Sequence, residues 1–169
     1  QPVNIANGHL DPADLQLYDT EIEYSEAAQQ PVLTLAGRRM VSASAWWDPA
    51  FGREGGDRSI LAIIFADGEG QYWLHHVAQI KISAHDPDAA AIQQCRQVAQ
   101  IAERFHLPGI ALETNGLGKF LPGLLQQELG KAGLVCRVRE VTSRRPKALR
   151  ILEAFDAPLA ARALHVHRS

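Results

Sequence analysis

The sequence predicts an α/β protein with a mixed sheet flanked by helices. Residues 40–47 alternate well enough for a strand, a hydrophobic strand follows over 59–66, and after residue 82 the pattern changes from period 2 to period 3.6. Three successive strands joined by turns favour an antiparallel unit, whereas strands that alternate with helices favour parallel pairing. The 169 residues, 46% of them apolar, suffice for one domain with its own core.

The antiparallel unit comes first in this prediction. A strand over 40–47 ends at Asp48, because the residue before a proline is pushed out of the α region. A loop containing three glycines leads to a second strand over 59–66. The turn 67–70 (DGEG) is a hairpin signal, and it connects the second strand to a third over 71–82.

Helices and strands then alternate. A helix is predicted over 87–106, with Ser83 or Asp86 as its cap. Its apolar face comprises Ala91, Cys95, Val98, Ile101 and Phe105. A short buried strand over 110–112 follows and ends in Glu113. The remaining predicted elements are a helix over 118–131 closed by Gly133, a strand over 134–141, a helix over 147–163 interrupted near Pro158, and a strand over 164–167.

The first 36 residues differ from the rest in composition. They contain six acidic residues and no lysine or arginine, together with several turn-forming dipeptides. We expect an arm or interdomain linker over 1–38, with a short helix at 12–18, followed by one domain over 39–169. Because the chain begins with Gln1, we expect it to be a piece of a longer protein.

Several kinds of site are disfavoured by the sequence. Neither Gly118-Lys119 nor Gly130-Lys131 continues with Ser or Thr, as a phosphate-binding P-loop requires, and no dinucleotide-binding glycine pattern is present. The two cysteines form no CxxC pair, which fits reduced core residues and a cytoplasmic setting. Adjacent histidines in a strand point to opposite faces, so His75 and His76 do not chelate one ion together. No apolar run is long enough for a membrane helix.

Two carboxylates occupy unusual positions. Asp48 and Glu113 each end a predicted apolar strand, where an ionised group needs a partner to offset its desolvation. If the two strands are neighbours, both side chains lie in one crevice and can share Mg²⁺ or Mn²⁺ ions, which prefer oxygen ligands. The alternative is structural: Asp48 caps a turn and Glu113 pairs with a surface base.

The residues around these acids resemble the nuclease motifs of bacteriophage terminase large subunits. The three matching segments are 47–52 (WDPAFG) with 55–59 (GGDRS), 112–116 (LETNG) with 120–122 (FLP), and the basic stretch 143–151 (SRRPKALRI). The resemblance covers about residues 40–169. It implies an RNase H-like fold and the C-terminal nuclease half of a DNA-packaging motor in the host cytoplasm.

The same resemblance implies a metal site and a reaction. Asp48 and Glu113 would be two of three acidic ligands for two Mg²⁺ or Mn²⁺ ions, and the third acid is expected beyond Ser169. Asp57 is a possible auxiliary ligand, although a loop residue beside Arg58 is more often structural. The expected activity is endonucleolytic hydrolysis of concatemeric double-stranded DNA with little sequence preference.

The expected partners follow from charge and from the resemblance. Residues 131–169 hold nine basic residues against three acidic ones, which suits a polyanion or simply a solvated surface. The candidate DNA-binding residues are Arg144, Arg145 and Lys147, with Arg58 and Lys119 as weaker contacts. By resemblance, the other partners are an ATPase motor domain in the same parent chain, a portal and a small terminase subunit. No association with a membrane is expected. Two alternatives stay open: another RNase H-like nuclease, such as a resolvase or transposase core, and a catalytically silent DNA-binding or assembly module.

Overall fold

The computed structural model describes residues 11–51, 58–114, 119–142 and 147–168. Within this part of the chain the strands are β1 (Gln16–Tyr18), β2 (Glu23–Ala27), β3 (Gln30–Leu35), β4 (Arg38–Asp48), β5 (Ser59–Asp67), β6 (Tyr72–Ile80), β7 (Gly109–Glu113), β8 (Arg137–Val141) and β9 (Leu164–His167). The helices are α1 (Ala90–Arg104), α2 (Leu121–Lys131) and α3 (Lys147–Ala160). The predicted fold class, a mixed sheet with parallel and antiparallel strands and flanking helices, is confirmed.

The chain divides into two compact units, and β4, β5 and β6 contribute residues to both. The larger unit is formed by the described residues within 42–65 and 75–142, and its strand order is β6-β5-β4-β7-β8. The β4–β7 and β7–β8 pairs are parallel. In this unit α1 and α2 pack against each other.

Of the described residues, the smaller unit holds those from 11 to 41, 66–74 and 147–168. Here β9 lies between β1 and β6 and pairs with both in parallel. On β4, the residues Arg38 and Arg39 pair antiparallel with β3, which in turn pairs antiparallel with β2.

The predicted helix at 12–18 is wrong. A single 3-10 turn covers Pro12–Asp14 and a strand follows it, so regular structure begins well before residue 39. The β2–β3 hairpin was missed for two physical reasons. Every residue of β2 is exposed, so the strand has no apolar alternation. The hairpin turn places Ala28 and Gln29 at positive φ (52° and 62°), without the glycine or asparagine that normally signals such a turn. The division of the chain at residue 38 stays a prediction.

The start of α1 also corrects the sequence analysis. The helix begins after Ala89, which makes no side-chain cap hydrogen bond, so neither Ser83 nor Asp86 caps it. Their side chains serve the preceding loop instead: Ser83 Oγ accepts the His85 N–H at 3.2 Å, and Asp86 Oδ1 accepts the Asp88 N–H at 2.9 Å. Of the predicted apolar face, Cys95, Val98 and Phe105 are buried, whereas Ala91 and Ile101 are half-buried.

The other predicted elements are confirmed with small shifts of their ends, except that α3 is not interrupted at Pro158. This proline lies in the last turn of α3, where its missing N–H removes only one helical hydrogen bond. Its carbonyl then accepts the Ala163 N–H at 2.8 Å. Gly133, with φ of +71°, ends the segment after α2 as predicted.

A buried carboxylate organises the turn between β5 and β6. Asp67 Oδ1 accepts the backbone N–H groups of Glu69 (2.9 Å) and Gln71 (3.0 Å). Asp67 Oδ2 accepts from Arg38 (3.2 Å) and from the Trp73 indole (3.4 Å). Burial raises the pKa of Asp67, but these four donors outweigh it, so the pKa lies below its ordinary value.

The tryptophans behave largely as core residues. Trp47 is fully buried and Trp73 nearly so, whereas Trp46 is half-buried. Trp73 stacks on His165 with ring centroids 3.9 Å apart, and Tyr18 packs edge-on against Trp73. Among the described residues, no helix is both long and apolar enough to cross a membrane.

Candidate metal centre

The two carboxylates singled out by the sequence end adjacent parallel strands. In the β4–β7 pair, Trp47 lies opposite Leu112. The next residue is Asp48 on β4 and Glu113 on β7, and each is the last residue of its strand. Because neighbouring strands lie about 4.8 Å apart, the backbones of the two acids run side by side at one edge of the sheet.

Both acids also lie on the same face of the sheet. Side chains alternate between the two faces along a strand, and directly paired residues of parallel strands share a face. Trp47 and Leu112 are fully buried on one face. Asp48 and Glu113 therefore lie on the opposite face, and both are half-buried. The register therefore places both acidic residues on one face at the same edge of the sheet.

The chain on both sides of Asp48 is held by hydrogen bonds. The Trp47 indole N–H donates to Ser59 Oγ at 2.9 Å, which ties the end of β4 to the start of β5. Two residues beyond Asp48, the Ala50 carbonyl accepts the side-chain amide N–H of Gln94 at 3.0 Å. These contacts fix the backbone from which the Asp48 side chain projects.

The chain after Glu113 is held in the same manner. Glu113 lies opposite Val141 in the parallel β7–β8 pair. The N–H of Thr114, a buried residue, donates to the Val141 carbonyl at 3.1 Å. The exit from β7 is therefore fixed to β8, and the Glu113 backbone does not depend on the next loop for its position.

Gln94 is the site residue that sequence reasoning missed. It is fully buried in α1, and its side-chain oxygen Oε1 has no hydrogen-bond partner among the described residues. A buried amide with only its donor used is costly, which is typical of a residue kept for its position rather than for packing. The available signal was a glutamine beside Cys95 on the buried side of an amphipathic helix.

Two exposed phenylalanines lie beyond the strands that carry the acids. Phe51 follows β4 and Phe120 directly precedes α2, and their ring centroids are 6.2 Å apart. They are 43% and 56% exposed, so this aromatic contact is formed at the surface rather than in the core. Both belong to the segments that carry the terminase resemblance.

The structure describes some of the other predicted ligands and DNA-binding residues but not all of them. Asp57, Arg144 and Arg145 lie outside the described residues. Lys147 is the first residue of α3. The two weaker candidates are exposed: Arg58 immediately before β5 and Lys119 shortly before α2.

The donor set suits a hard divalent cation. Two carboxylates supply only oxygen ligands, as Mg²⁺ and Mn²⁺ prefer. In the part of the chain that the structure describes, no group of three or more His, Cys, Asp or Glu residues could hold a metal ion. Of the later acids, Glu128 is buried in α2 and pairs with Lys131 at 2.6 Å. The third ligand beyond Ser169 stays a prediction.

Comparisons with known proteins find only partial structural likenesses. No protein-family model matches the chain. No curated protein matches it in sequence. Among solved structures, Thermus thermophilus RuvC is similar at 19% identity with a TM-score of 0.41, over 59% of this chain and 62% of that one. The yeast mitochondrial Holliday junction resolvase Ydc2 matches at 8% identity and a TM-score of 0.41, over 66% of this chain and 62% of that one.

A third similar structure is RNase H1 of Halobacterium salinarum, at 15% identity and a TM-score of 0.35. It matches over 70% of this chain and 97% of that one. The likenesses are partial, and the functional conclusion rests on the residues at the sheet edge.

Proposed function

We propose that this chain is a divalent-metal-dependent DNA endonuclease domain with Asp48 and Glu113 as metal ligands. The observation that supports this is the parallel register of β4 and β7, in which Asp48 and Glu113 end neighbouring strands on the same face of the sheet. Two carboxylates in this arrangement are the ligand type expected for Mg²⁺ or Mn²⁺ at a phosphodiester.

In this proposal the protein residues hold the metal ions and orient them. Asp48 and Glu113 would fix the position of the ions relative to the substrate phosphate, while Gln94 and Thr114 keep the backbones of these two acids in place. When bound, the ions supply neutralisation of phosphate charge and a lowered pKa of water. The third acidic ligand would complete the set.

Cleavage of supercoiled plasmid in Mn²⁺ tests the catalytic assignment. The parent protein, which would carry the third acid, and the 169-residue chain are both assayed. Asp48→Asn and Glu113→Gln remove a ligand while preserving shape. Loss of about 3 kcal/mol of transition-state stabilisation would lower the rate about 100-fold. Glu140→Gln is the matched control, because Glu140 lies opposite Leu112 and so on the other face. Equal rates for Asp48→Asn and the parent would refute the assignment.

Metal binding is tested separately by thermal unfolding. If the dissociation constant for Mg²⁺ is one tenth of the concentration used, binding stabilises the folded state by about 1.4 kcal/mol. For a domain of this size that corresponds to a rise in Tm of about 3–6 °C. The rise in Tm is expected for the unmutated protein and for Glu140→Gln, and it should be absent from Asp48→Asn and Glu113→Gln. An undiminished rise in both ligand variants would contradict the proposed site.

The more specific proposal is the nuclease half of a viral DNA-packaging terminase. It is supported by the motifs around Asp48 and Glu113 and by the basic stretch after β8. On this proposal, linear duplex is cut with little sequence preference, and the ATPase motor domain, portal and small subunit are partners. A strong preference for four-way junctions over linear duplex would instead favour a resolvase. Metal-independent DNA binding by a parent protein that cuts neither substrate would indicate a silent assembly module.

A further inference from the structure

Two arginines of β8 share the face that carries the candidate metal ligands. In the β7–β8 pair, Arg139 lies opposite Ala111, and Glu113 lies opposite Val141. Arg137, Arg139 and Val141 alternate with the residues between them, so all three lie on the Glu113 face. Each step of two residues along a strand covers about 6.6 Å, so the arginines extend in a row back from the acidic edge.

The positive and negative charges of β8 lie on opposite faces of the strand. Arg137 and Arg139 are both exposed, and the structure gives neither of them an ion pair within its described residues. The acidic residue of this strand, Glu140, lies on the opposite face. In the described part of the sheet β8 pairs only with β7, so this arginine row lies at a sheet edge.

The strand beside the arginines carries little side-chain bulk. Gly109 lies opposite Arg137, and Ala111 lies opposite Arg139. A Cβ added at Gly109 would approach the Arg137 carbonyl oxygen to 3.4 Å. On β4, the small, exposed Ser44 belongs to the same face as Asp48. On β7 the arginine row is therefore bordered by small residues, and on β4 the half-buried Trp46 lies opposite Ala111 on the same face, next to the two acids.

We propose that Arg137 and Arg139 bind consecutive backbone phosphates of a DNA duplex and direct it to the Asp48–Glu113 edge. This inference deepens the proposed function and rests on it for the identity of the ligand. Guanidinium groups recognise phosphate bidentately, and a linear row of them matches a polymer of phosphates better than a single small anion. Such contacts position the duplex without reading its sequence.

The test is binding of a fluorescein-labelled duplex by the full 169-residue chain, measured by anisotropy without divalent ions at several salt concentrations. Each lost phosphate contact reduces the slope of log K against log salt by about 0.9 and the affinity at about 0.15 M salt by about fivefold. Arg137→Ala/Arg139→Ala should therefore lose about thirtyfold in affinity and about 1.8 in slope, equally for duplexes of different sequence.

Two control variants make the result specific. Arg104→Ala/Arg168→Ala also removes two exposed arginines and should leave affinity within about threefold of the parent, because only nonlocal charge changes. Arg137→Lys/Arg139→Lys keeps the charges and should retain most of the salt slope. An alanine variant that unfolds is recognised by its thermal melt, and Arg137→Gln/Arg139→Gln, which also removes both charges, is then measured in its place.

The outcomes separate this inference from the nuclease proposal. Unchanged affinity and salt slope in Arg137→Ala/Arg139→Ala, or an equal loss in Arg104→Ala/Arg168→Ala, would overturn the inference even if the parent cuts DNA. Loss confined to the β8 variants, in a protein whose parent cuts no DNA, would support the inference and refute the nuclease assignment.

Discussion

A substitution at Gln94 should weaken metal binding without lowering the stability of the fold. Gln94 Nε2 donates to the Ala50 carbonyl at 3.0 Å, two residues after Asp48, while its Oε1 has no partner among the described residues. Gln94→Met preserves the length of the side chain and removes both polar atoms. The substitution therefore removes one useful hydrogen bond and one costly unsatisfied acceptor together.

The expected change in stability is small because these terms oppose each other. Loss of the hydrogen bond to Ala50 costs about 1 kcal/mol, and removal of the buried, unpaired Oε1 returns about 1–3 kcal/mol. We expect Tm to stay within about 4 °C of the parent or to rise, since about 2–4 °C corresponds to about 1 kcal/mol in a domain of this size. Metal affinity should fall by about 10–100-fold, the usual effect of removing a residue that orients a ligand.

The neighbouring Gln93 provides a matched control. It is equally a buried glutamine of α1, but its side chain bonds Ser83 N (2.8 Å), Ser83 O (3.1 Å) and Asp88 O (2.7 Å), in the loop before the helix. Gln93→Met should lower stability by about 2–3 kcal/mol, because three hydrogen bonds are lost without compensation. Metal affinity of the folded protein should be unchanged.

Thermal melts and Mn²⁺ titrations of the two variants decide the matter. The two variants should behave in opposite ways. Gln94→Met should be stable with weakened metal binding, and Gln93→Met should be less stable with normal metal binding. If Gln94→Met binds Mn²⁺ as the parent does, Gln94 does not position Asp48. A large loss of stability in Gln94→Met would show that its Oε1 has a partner and that the opposing-terms reasoning is wrong.

Three further predictions concern the rest of the fold. The pKa of Asp67 is lower in the folded protein than in the unfolded chain, where it is near 3.8. The carboxylate therefore stabilises the fold above the unfolded pKa, and this contribution is lost as the pH falls through the folded pKa. In urea denaturation at a series of pH values, Asp67→Asn should show a smaller loss of unfolding free energy towards acid pH than the unmutated protein. Burial, with Glu128 adding to it, raises the pKa of the Cys95 thiol to about 12, and burial raises that of Cys136 to about 11, so neither should react with a thiol reagent at about pH 8 until the protein unfolds. Gly133→Ala should cost about 1 kcal/mol in chemical denaturation, because φ is +71° although no atom lies within 4 Å of an added Cβ.

The sequence was most informative where one face of a strand is buried. The strand over 164–167 was predicted with its observed ends. The strand predicted over 59–66 is β5, in which buried and half-buried residues alternate from Ser59 to Asp67. The hairpin of β2 and β3 could not be found, because an exposed strand carries no such pattern and its turn uses Ala28 and Gln29. Pairing with neighbours stabilises these strands, and local sequence does not encode that pairing.

The candidate site follows a similar division. Asp48 and Glu113 could be selected from sequence because charged residues at the ends of apolar strands are conspicuous, but their adjacency depended on β4 and β7 being neighbours. Gln94 is separated from Ala50 by 44 positions, and its hydrogen bond depends on how α1 lies in the fold. Periodicity assigned that part of the helix to the core and gave no reason to expect a polar contact there.

The juxtaposition of the two acids is a consequence of the apolar face behind them. Burial of a large apolar side chain contributes about 1.5–3 kcal/mol, and fully buried Trp47 and Leu112 oppose each other in the register that precedes the acids. A slip of one residue in one strand would move its apolar residues to the other face, so burial enforces a single register. The half-buried Asp48 and Glu113 contribute little to stability themselves. Their relative position is nevertheless fixed, because changing it would require breaking the apolar core on the other face of the two strands. A metal centre at this edge therefore requires no dedicated structural element: the residues that drive folding and the residues that would bind metal alternate along the same two strands.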